Sequence, residues 1–380
     1  MKRVAILTLP LWNNYGGILQ AYALNETLKK FGFKSSLIDF HKEPESKIDY
    51  IEKTLKNSIK SKVISKFKSD IKLTQTKKIQ EYISKNTRNF VENNIFPKTD
   101  IINKRESLLE LNNDFDAFIV GSDQVWRSEY TPGIKSYYLD FVTDNNQRIS
   151  YAASFGKDSV DYSSEELEYC KVQLSKFCLV TTREKAGRQI IKEHFGTDSH
   201  VVLDPTMLLR KSDYLKLLPN IEKSVQNRTL FCYVLDRNKS IDSLIKTVSD
   251  NFGFQPFEVK PKLPDENFSL KNEEYICPPV ESWLEAFYKA EYIIADSFHG
   301  CVFAIIFNKP FIAIGNKGRG LSRFTTLLEK FDLMNRLIID INDVSINELF
   351  NYEFNWEKIN DILNSERDKS IKLLLNSLNK

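Results

Sequence analysis

Cysteine and histidine are scarce in this 380-residue chain, with five of the first and four of the second. Cys170, Cys178, Cys232, Cys277 and Cys301 are odd in number and scattered, with no Cys-x-x-Cys pair and no Cys/His cluster. That pattern supports neither a disulfide framework nor a zinc centre, and it fits a reducing compartment. No stretch approaches 18 uncharged apolar residues, so nothing reads as a membrane span. The first apolar run, Val4 to Leu9, is too short for the core of a secretion signal and ends at Pro10 without a small-residue cleavage site. Charge of one sign is not in excess either. With 54 Lys and Arg against 51 Asp and Glu, the net charge of +3 gives no reason to expect nucleic acid. A G-x-G-x-x-G fingerprint, a Walker loop, a G-x-S-x-G elbow and a glycosidase-like carboxylate pair are all missing. The expected place is the cytoplasm.

What is present is a globular composition, 42% hydrophobic and 12% aromatic, over a length that suggests two domains. Strand and helix signals alternate. Val4–Leu9 reads as a strand and Gly17–Phe31 as a helix, with Leu19, Ala23, Leu24, Leu28 and Phe31 at helical spacing. Phe33–Phe40 reads as the next strand. Such β-α-β units imply right-handed crossovers and a parallel sheet. Further strands are expected at Ala117–Val120, Ile149–Ala153, Cys178–Thr182 and His200–Leu203. Helices are expected at Glu165–Ser175 and Lys185–His194. Polar residues around Pro219–Arg228 suggest a linker. A second series runs from Thr229–Leu235 through helices Ile241–Asn251 and Ser282–Tyr288 to strands Tyr292–Ala295, Phe311–Ile314 and Leu337–Ile339.

The expected fold is therefore α/β, with two Rossmann-like doubly wound domains facing a cleft in the GT-B manner. The expected domains are 1–218 and 226–345, followed by a helical tail at 346–380. Residues 42–105 contain no glycine and many lysines from Lys53 to Lys78, and read as a basic, exposed helical insertion. Its plainer reading is a solvated face. The functional one is peripheral contact with an anionic membrane leaflet, where each basic residue is worth ~1 kcal/mol.

In parallel sheets, ligands bind at the carboxyl ends of the strands. The turns expected there carry the chemistry. Trp12-Asn13-Asn14-Tyr15-Gly16-Gly17 follows the first strand, and its glycines let backbone approach a ligand. Gly121-Ser122-Asp123 with Trp126, then Ser154-Phe155-Gly156, Arg183-Glu184 and Asp204-Pro205 follow later strands. Asp296-Ser297-Phe298-His299-Gly300 joins a buried strand to a short helix. A histidine there could donate a proton or hold an anion, or it could simply cap the helix. Arg183 from one domain and His299, Lys317, Arg319 and Arg323 from the other are expected to form one cationic pocket for phosphate and carboxylate. Trp12, Tyr15 and Trp126 are either sugar-stacking aromatics or core.

These motifs, in this order and over nearly the whole chain, resemble the polysaccharide pyruvyl transferase family. The resemblance implies a GT-B-like fold, phosphoenolpyruvate as donor substrate and no cofactor or metal. It implies transfer of pyruvate, as a ketal, to two hydroxyls of a sugar in a cell-surface polysaccharide or a lipid-linked precursor such as an undecaprenyl-diphosphate oligosaccharide. His299 would be the acid. Arg183, with Ser297, Phe298, Lys317, Arg319 and Arg323, would hold the donor. Asn14, Tyr15, Gly16, Gly17, Ser122, Asp123, Trp126 and Ser154 would meet the acceptor. The family often has an arginine two residues before the histidine, where this chain has Ser297. Lys317, Arg319 or Arg323 is expected to replace that grip. The rival readings are a nucleotide-sugar glycosyltransferase of the same architecture and a non-catalytic sugar-binding relative.

Overall fold

A computed structural model describes residues 1–42, 73–218, 229–262, 268–315, 320–340 and 346–380. Runs of apolar residues make its strands. Val4 to Leu7, Ala117 to Val120, Tyr292 to Ala295 and Phe311 to Ile314 are each buried throughout. Burial on both faces is the habit of parallel strands covered by helices on each side.

The first sheet runs β2 (Lys34–Ile38), β1 (Arg3–Leu7), β3 (Ala117–Val120), β4 (Gln147–Ser150), all parallel. Single bridges from Ile149 to Leu179 and from Ala153 to Thr182 carry it on to β5 (Thr181–Thr182), which pairs with β6 (His200–Val201). The second sheet runs β8 (Gln255–Phe257), β7 (Thr229–Tyr233), β9 (Tyr292–Ala295), β10 (Phe311–Ile314), β11 (Leu337–Ile338), again parallel. The two orders match. In each, the chain steps outward from its first strand, then returns to the other side of it. The gap between β1 and β3, and that between β7 and β9, are the switch points where such sheets bind ligands.

Two helices set up these switch points. The helix Tyr15–Lys30 starts directly after β1 and is buried along most of its length. The helix Phe298–Ile306 starts after β9 and is buried at every residue. Such all-round apolarity marks a helix enclosed by the protein.

Several expectations change. Expected strands shorten at their ends, as at Phe33–Phe40, where β2 stops at Ile38 and Phe40 makes only a single bridge to Ile102. The short edge strand β8 escapes the apolar pattern, because Gln255 and Pro256 give it no alternation. Of the insertion, helices Leu73–Ile83 and Lys85–Asn94 are described. The second is not simply exposed: Thr87, Phe90 and Val91 are buried, and Arg88 pairs with Asp39 at 2.9 Å while lying over Trp12. The lysines from Lys53 to Lys72 and the linker at 219–228 lie outside the described residues.

The C-terminal helix Trp356–Leu378 fastens the two sheets together. On the second-sheet side, Lys358 pairs with Asp332 at 2.7 Å and Glu366 pairs with Lys330. On the first, Ser370 Oγ accepts from Leu203 N at 3.1 Å, and the buried Arg367 donates from Nε to Met207 O at 2.8 Å and from Nη2 to Leu209 O at 3.3 Å. The halves also touch backbone to backbone. A Cβ on Gly320 would lie 2.3 Å from the carbonyl oxygen of Gly156.

Candidate functional site

The turn after β1 is ordered by Asn14. Its Oδ1 accepts from Gly17 N at 3.1 Å and caps the first helix, while its Nδ2 donates to Asp123 Oδ2 at 3.3 Å. Asp123, from the turn after β3, takes a left-handed backbone with φ of 66°, which aspartate tolerates better than most residues. Gly16 lies against the His299 ring. A Cβ there would come within 2.1 Å of His299 Nδ1, so only glycine lets the first helix and the histidine approach this closely.

Arg183 does not face the opening. Its side chain is fully enclosed. Nη2 donates to Asp123 Oδ1 at 2.9 Å and Nη1 to Asp204 Oδ2 at 3.2 Å, with Glu184 at 3.7 Å from Nε. The guanidinium also lies over the Phe298 ring at 4.7 Å. The expectation of a donor grip is thus corrected: carboxylates converging from three loops capture the arginine beneath the site. Asp204 is held further by Thr206, whose N and Oγ1 donate to Oδ1 at 3.0 and 2.7 Å, and Ser122 Oγ lies 3.2 Å from its Oδ2. Its Oδ2 stands 3.6 Å from His299 Nε2, past hydrogen-bond length.

Other expected acceptor contacts also turn inward. Ser122 and Ser154 are fully buried, Ser122 Oγ donating to Ala152 O and Ser154 Oγ accepting from Gly156 N. Trp126 is core: 1% exposed, it stacks on Tyr138 and donates from its indole to Tyr137 O at 3.1 Å. Tyr15 stacks on Trp283 and donates to Pro278 O at 2.9 Å, joining the halves and leaving no face for a sugar. Gly17 is enclosed in the helix. Ser297 has a local job, since its Oγ accepts from Gly300 N at 3.0 Å and caps the helix that carries His299.

A cavity of about 290 Å³ opens between the two switch points. Asn14, Asp123, Gln124, Arg127 and Tyr130 line it from the first half. Tyr233, Leu235, Asp296 to His299, Arg323 and Phe324 line it from the second. Of the expected residues, it therefore gathers Asn14, Asp123, Ser297, Phe298, His299 and Arg323. Lys317 and Arg319 lie outside the described residues. Sequence reasoning missed Gln124, Arg127 and Tyr130, although they follow Asp123 in the same turn. Arg127 lies over the Tyr130 ring at 4.3 Å and pairs with Glu129 at 2.9 Å.

The electrostatics favour an anion at the rim and a charged network below. Burial, reinforced by nearby Arg183, pushes the Arg323 guanidinium down to about 10, which leaves it cationic at neutral pH. Burial works against the charge of Asp204, but the His299 contact and Arg183 outweigh it and hold the carboxyl below the usual range. Asp123 is held low in the same way, with Arg183 the leading opponent of burial, followed by His299 and Arg323. For Glu184 burial wins over Arg183 and Arg323, and its carboxyl is raised. Among the described residues, no three His, Cys, Asp or Glu side chains gather as a metal site. Among them too, no helix is long and apolar enough to cross a membrane.

Two parallel α/β sheets with facing switch points define a GT-B-type fold. A UDP-GlcNAc 2-epimerase from Neisseria meningitidis, solved bound to UDP-GlcNAc, is similar at a TM-score of 0.52 and 12% identity, over 100% of this chain and 99% of that one. The UDP-GlcNAc 2-epimerase of Methanocaldococcus jannaschii, in complex with UDP-GlcNAc and UDP, is similar at 0.50 and 15%, over 100% and 99%. At such identities the likeness speaks for the fold alone. No curated protein matches the chain. The sequence pattern of the polysaccharide pyruvyl transferases matches residues 14–318, and the chain belongs to that family.

Proposed function

We propose that this transferase moves the pyruvyl group of phosphoenolpyruvate onto two hydroxyls of one sugar. What carries the reading is the cavity in which His299, Arg127 and Arg323 meet between the switch points of the two sheets. The donor has a carboxylate, a phosphate and an electron-rich methylene carbon. Arg323 and Arg127 are the described cations for its two anionic groups, and Lys317 and Arg319 remain candidates from their place in the sequence. His299 protonates the methylene carbon, making a C–H bond and leaving a cation at C2. A sugar hydroxyl bonds to C2, and the C2–O bond to phosphate breaks as one hydroxyl proton leaves with the phosphate. The second hydroxyl then closes the ketal and its proton returns to His299. Donor and sugar become ketal and phosphate, with no water consumed. Asn14, Asp123 and Gln124 supply polar atoms to orient the hydroxyls.

We further propose a polysaccharide precursor, lipid-linked, as acceptor, met at the inner face of a membrane. Incubation with phosphoenolpyruvate and candidate lipid-linked saccharides, followed by mass spectrometry, should show a gain of pyruvate less water together with equimolar phosphate. A protein that is stabilised against heat by nucleotide sugars and not by phosphoenolpyruvate, and that yields no such product, would instead be a glycosyltransferase.

A further inference from the structure

A sugar offers a protein two kinds of surface, an edge of hydroxyls and a face of C–H bonds. Asn14, Asp123 and Gln124 bring polar atoms to the cavity for the first. The second asks for an apolar or aromatic wall, which small-molecule sites usually set beside a few placed polar groups. Tyr15 and Trp126 are taken up by core stacking, and Trp12 packs against His41 and beneath Arg88. Of the apolar and aromatic side chains in the cavity wall, Tyr233, Phe298 and Phe324 are buried, while Tyr130 and Leu235 are each 47% exposed. Among the described residues the exposed aromatic rings are Phe31, Phe96 and Tyr130, and Tyr130 is the one in this wall.

Tyr130 is exposed and yet held. It ends the short turn Ser128–Tyr130, and its N donates to Arg127 O at 3.0 Å. The Arg127 guanidinium lies over its ring at 4.3 Å. That guanidinium is fixed in turn: Nε and Nη2 donate to Glu129 Oε2 at 3.1 and 2.9 Å, and Nη1 to Gln124 Oε1 at 3.3 Å. A cation over a ring is drawn to its face and orients it. The phenol end lies near enough to Arg323, from the other half, to act on its charge. The ring thus stands beside both cations assigned to the donor. Phosphoenolpyruvate, small and anionic, has little apolar surface to lay on it, whereas a pyranose has a whole face.

We propose that Tyr130 is the platform on which the acceptor sugar lays the C–H face of its ring, next to the donor held by Arg127 and Arg323. The proposal rests on the pyruvyl-transfer reading. An axial or bulky group on that face would hold the sugar off the ring, so Tyr130 selects among sugars as well as binding them.

Saturation-transfer NMR, with the methyl glycosides of glucose, galactose and mannose as probes, tests the platform without turnover. A C–H face is common to pyranoses, so the true acceptor is not required. The protein should pass saturation chiefly to ring C–H protons. Tyr130→Ala should lose most of that transfer, and Tyr130→Phe, which keeps the ring, should retain it. Equal transfer by the parent and Tyr130→Ala, or none by the parent, overturns the proposal. So does transfer to the uracil protons of UDP and to no glycoside, since a base can stack on the same ring. In turnover, Tyr130→Ala should raise the acceptor KM on the order of 10-fold, with kcat changed less than ~3-fold. A rise confined to the donor KM overturns the proposal as well. Glycoside binding that depends on Tyr130 in a protein that forms no ketal keeps the platform and drops the pyruvyl reading. Ketal formed by Tyr130→Ala at an unchanged acceptor KM keeps that reading and drops the platform.

Discussion

Single residues decide how closely the catalytic groups meet. Gly16→Ala would drive a methyl group into the His299 ring, which must swing away. Displacements of about 1 Å near a reacting centre cost on the order of 10²-fold in rate. This variant should therefore lose activity on that scale while melting within a few degrees of the parent, as kcat measurements beside a thermal melt would show. The buried acids set the response to pH, and they oppose one another. Asp123 and Asp204 have folded values below the usual carboxylate range. Their stabilisation is complete above the unfolded value of about 3.9 and is lost as pH falls through the folded values. Glu184 is raised. Its contribution is complete below an unfolded value of about 4.3 and is lost as pH rises through the folded value. Glu184→Gln should accordingly gain in melting temperature over the parent as pH rises from about 4 to 7. A difference that stays flat would return Glu184 to ordinary acidity.

At the scale of elements, the His299 helix depends on its first residue. Ser297→Ala should cost about 1 kcal/mol in denaturant unfolding, and Ser297→Asp should recover most of it, because either side chain can accept from Gly300 N. A larger loss with no recovery would mean that Ser297 does more than cap. Most of the strands were legible because a parallel strand buried on both faces is a plain apolar run, as Tyr292 to Ala295 is. The turns at strand ends were legible for the same reason, by subtraction. The direction a polar side chain takes was not. Arg183 reads as a free cation until Asp123 and Asp204, from turns 60 and 21 residues away, are brought beneath it. Trp126 offers stacking or core packing with equal ease, and only the arrival of Tyr138 and Tyr137 O decides for core. The charge of Arg127 is visible in the sequence, but nothing in its own turn distinguishes it from a surface arginine until the second half closes the cavity beside it.

For the whole molecule, the C-terminal helix makes the two sheets one unit. Its docking could not be read from its pattern, because Arg367 looks like a solvated charge and is in fact buried. Arg367→Ala would leave the carbonyls of Met207 and Leu209 without this donor, at a cost of ~1–3 kcal/mol. Since the same helix also grips Asp332 and Lys330, unfolding of the variant should stay a single transition at lower denaturant. Two separated transitions would mean the sheets unfold independently. The cavity has no complete wall in either half, so activity should vanish if the halves are expressed as separate chains that do not associate.

The contact of Gly320 with Gly156 has a practical use. A seam that shuts backbone on backbone can be propped ajar by the smallest possible doorstop. Gly320→Ala would place its methyl 2.3 Å from the Gly156 carbonyl, at a backbone φ of 79° that already resists a side chain. Such a variant should favour a wider spacing of the halves, visible as a larger radius of gyration in small-angle scattering. It would also offer a way to soak bulky acceptors into a protein too loosely shut to turn them over.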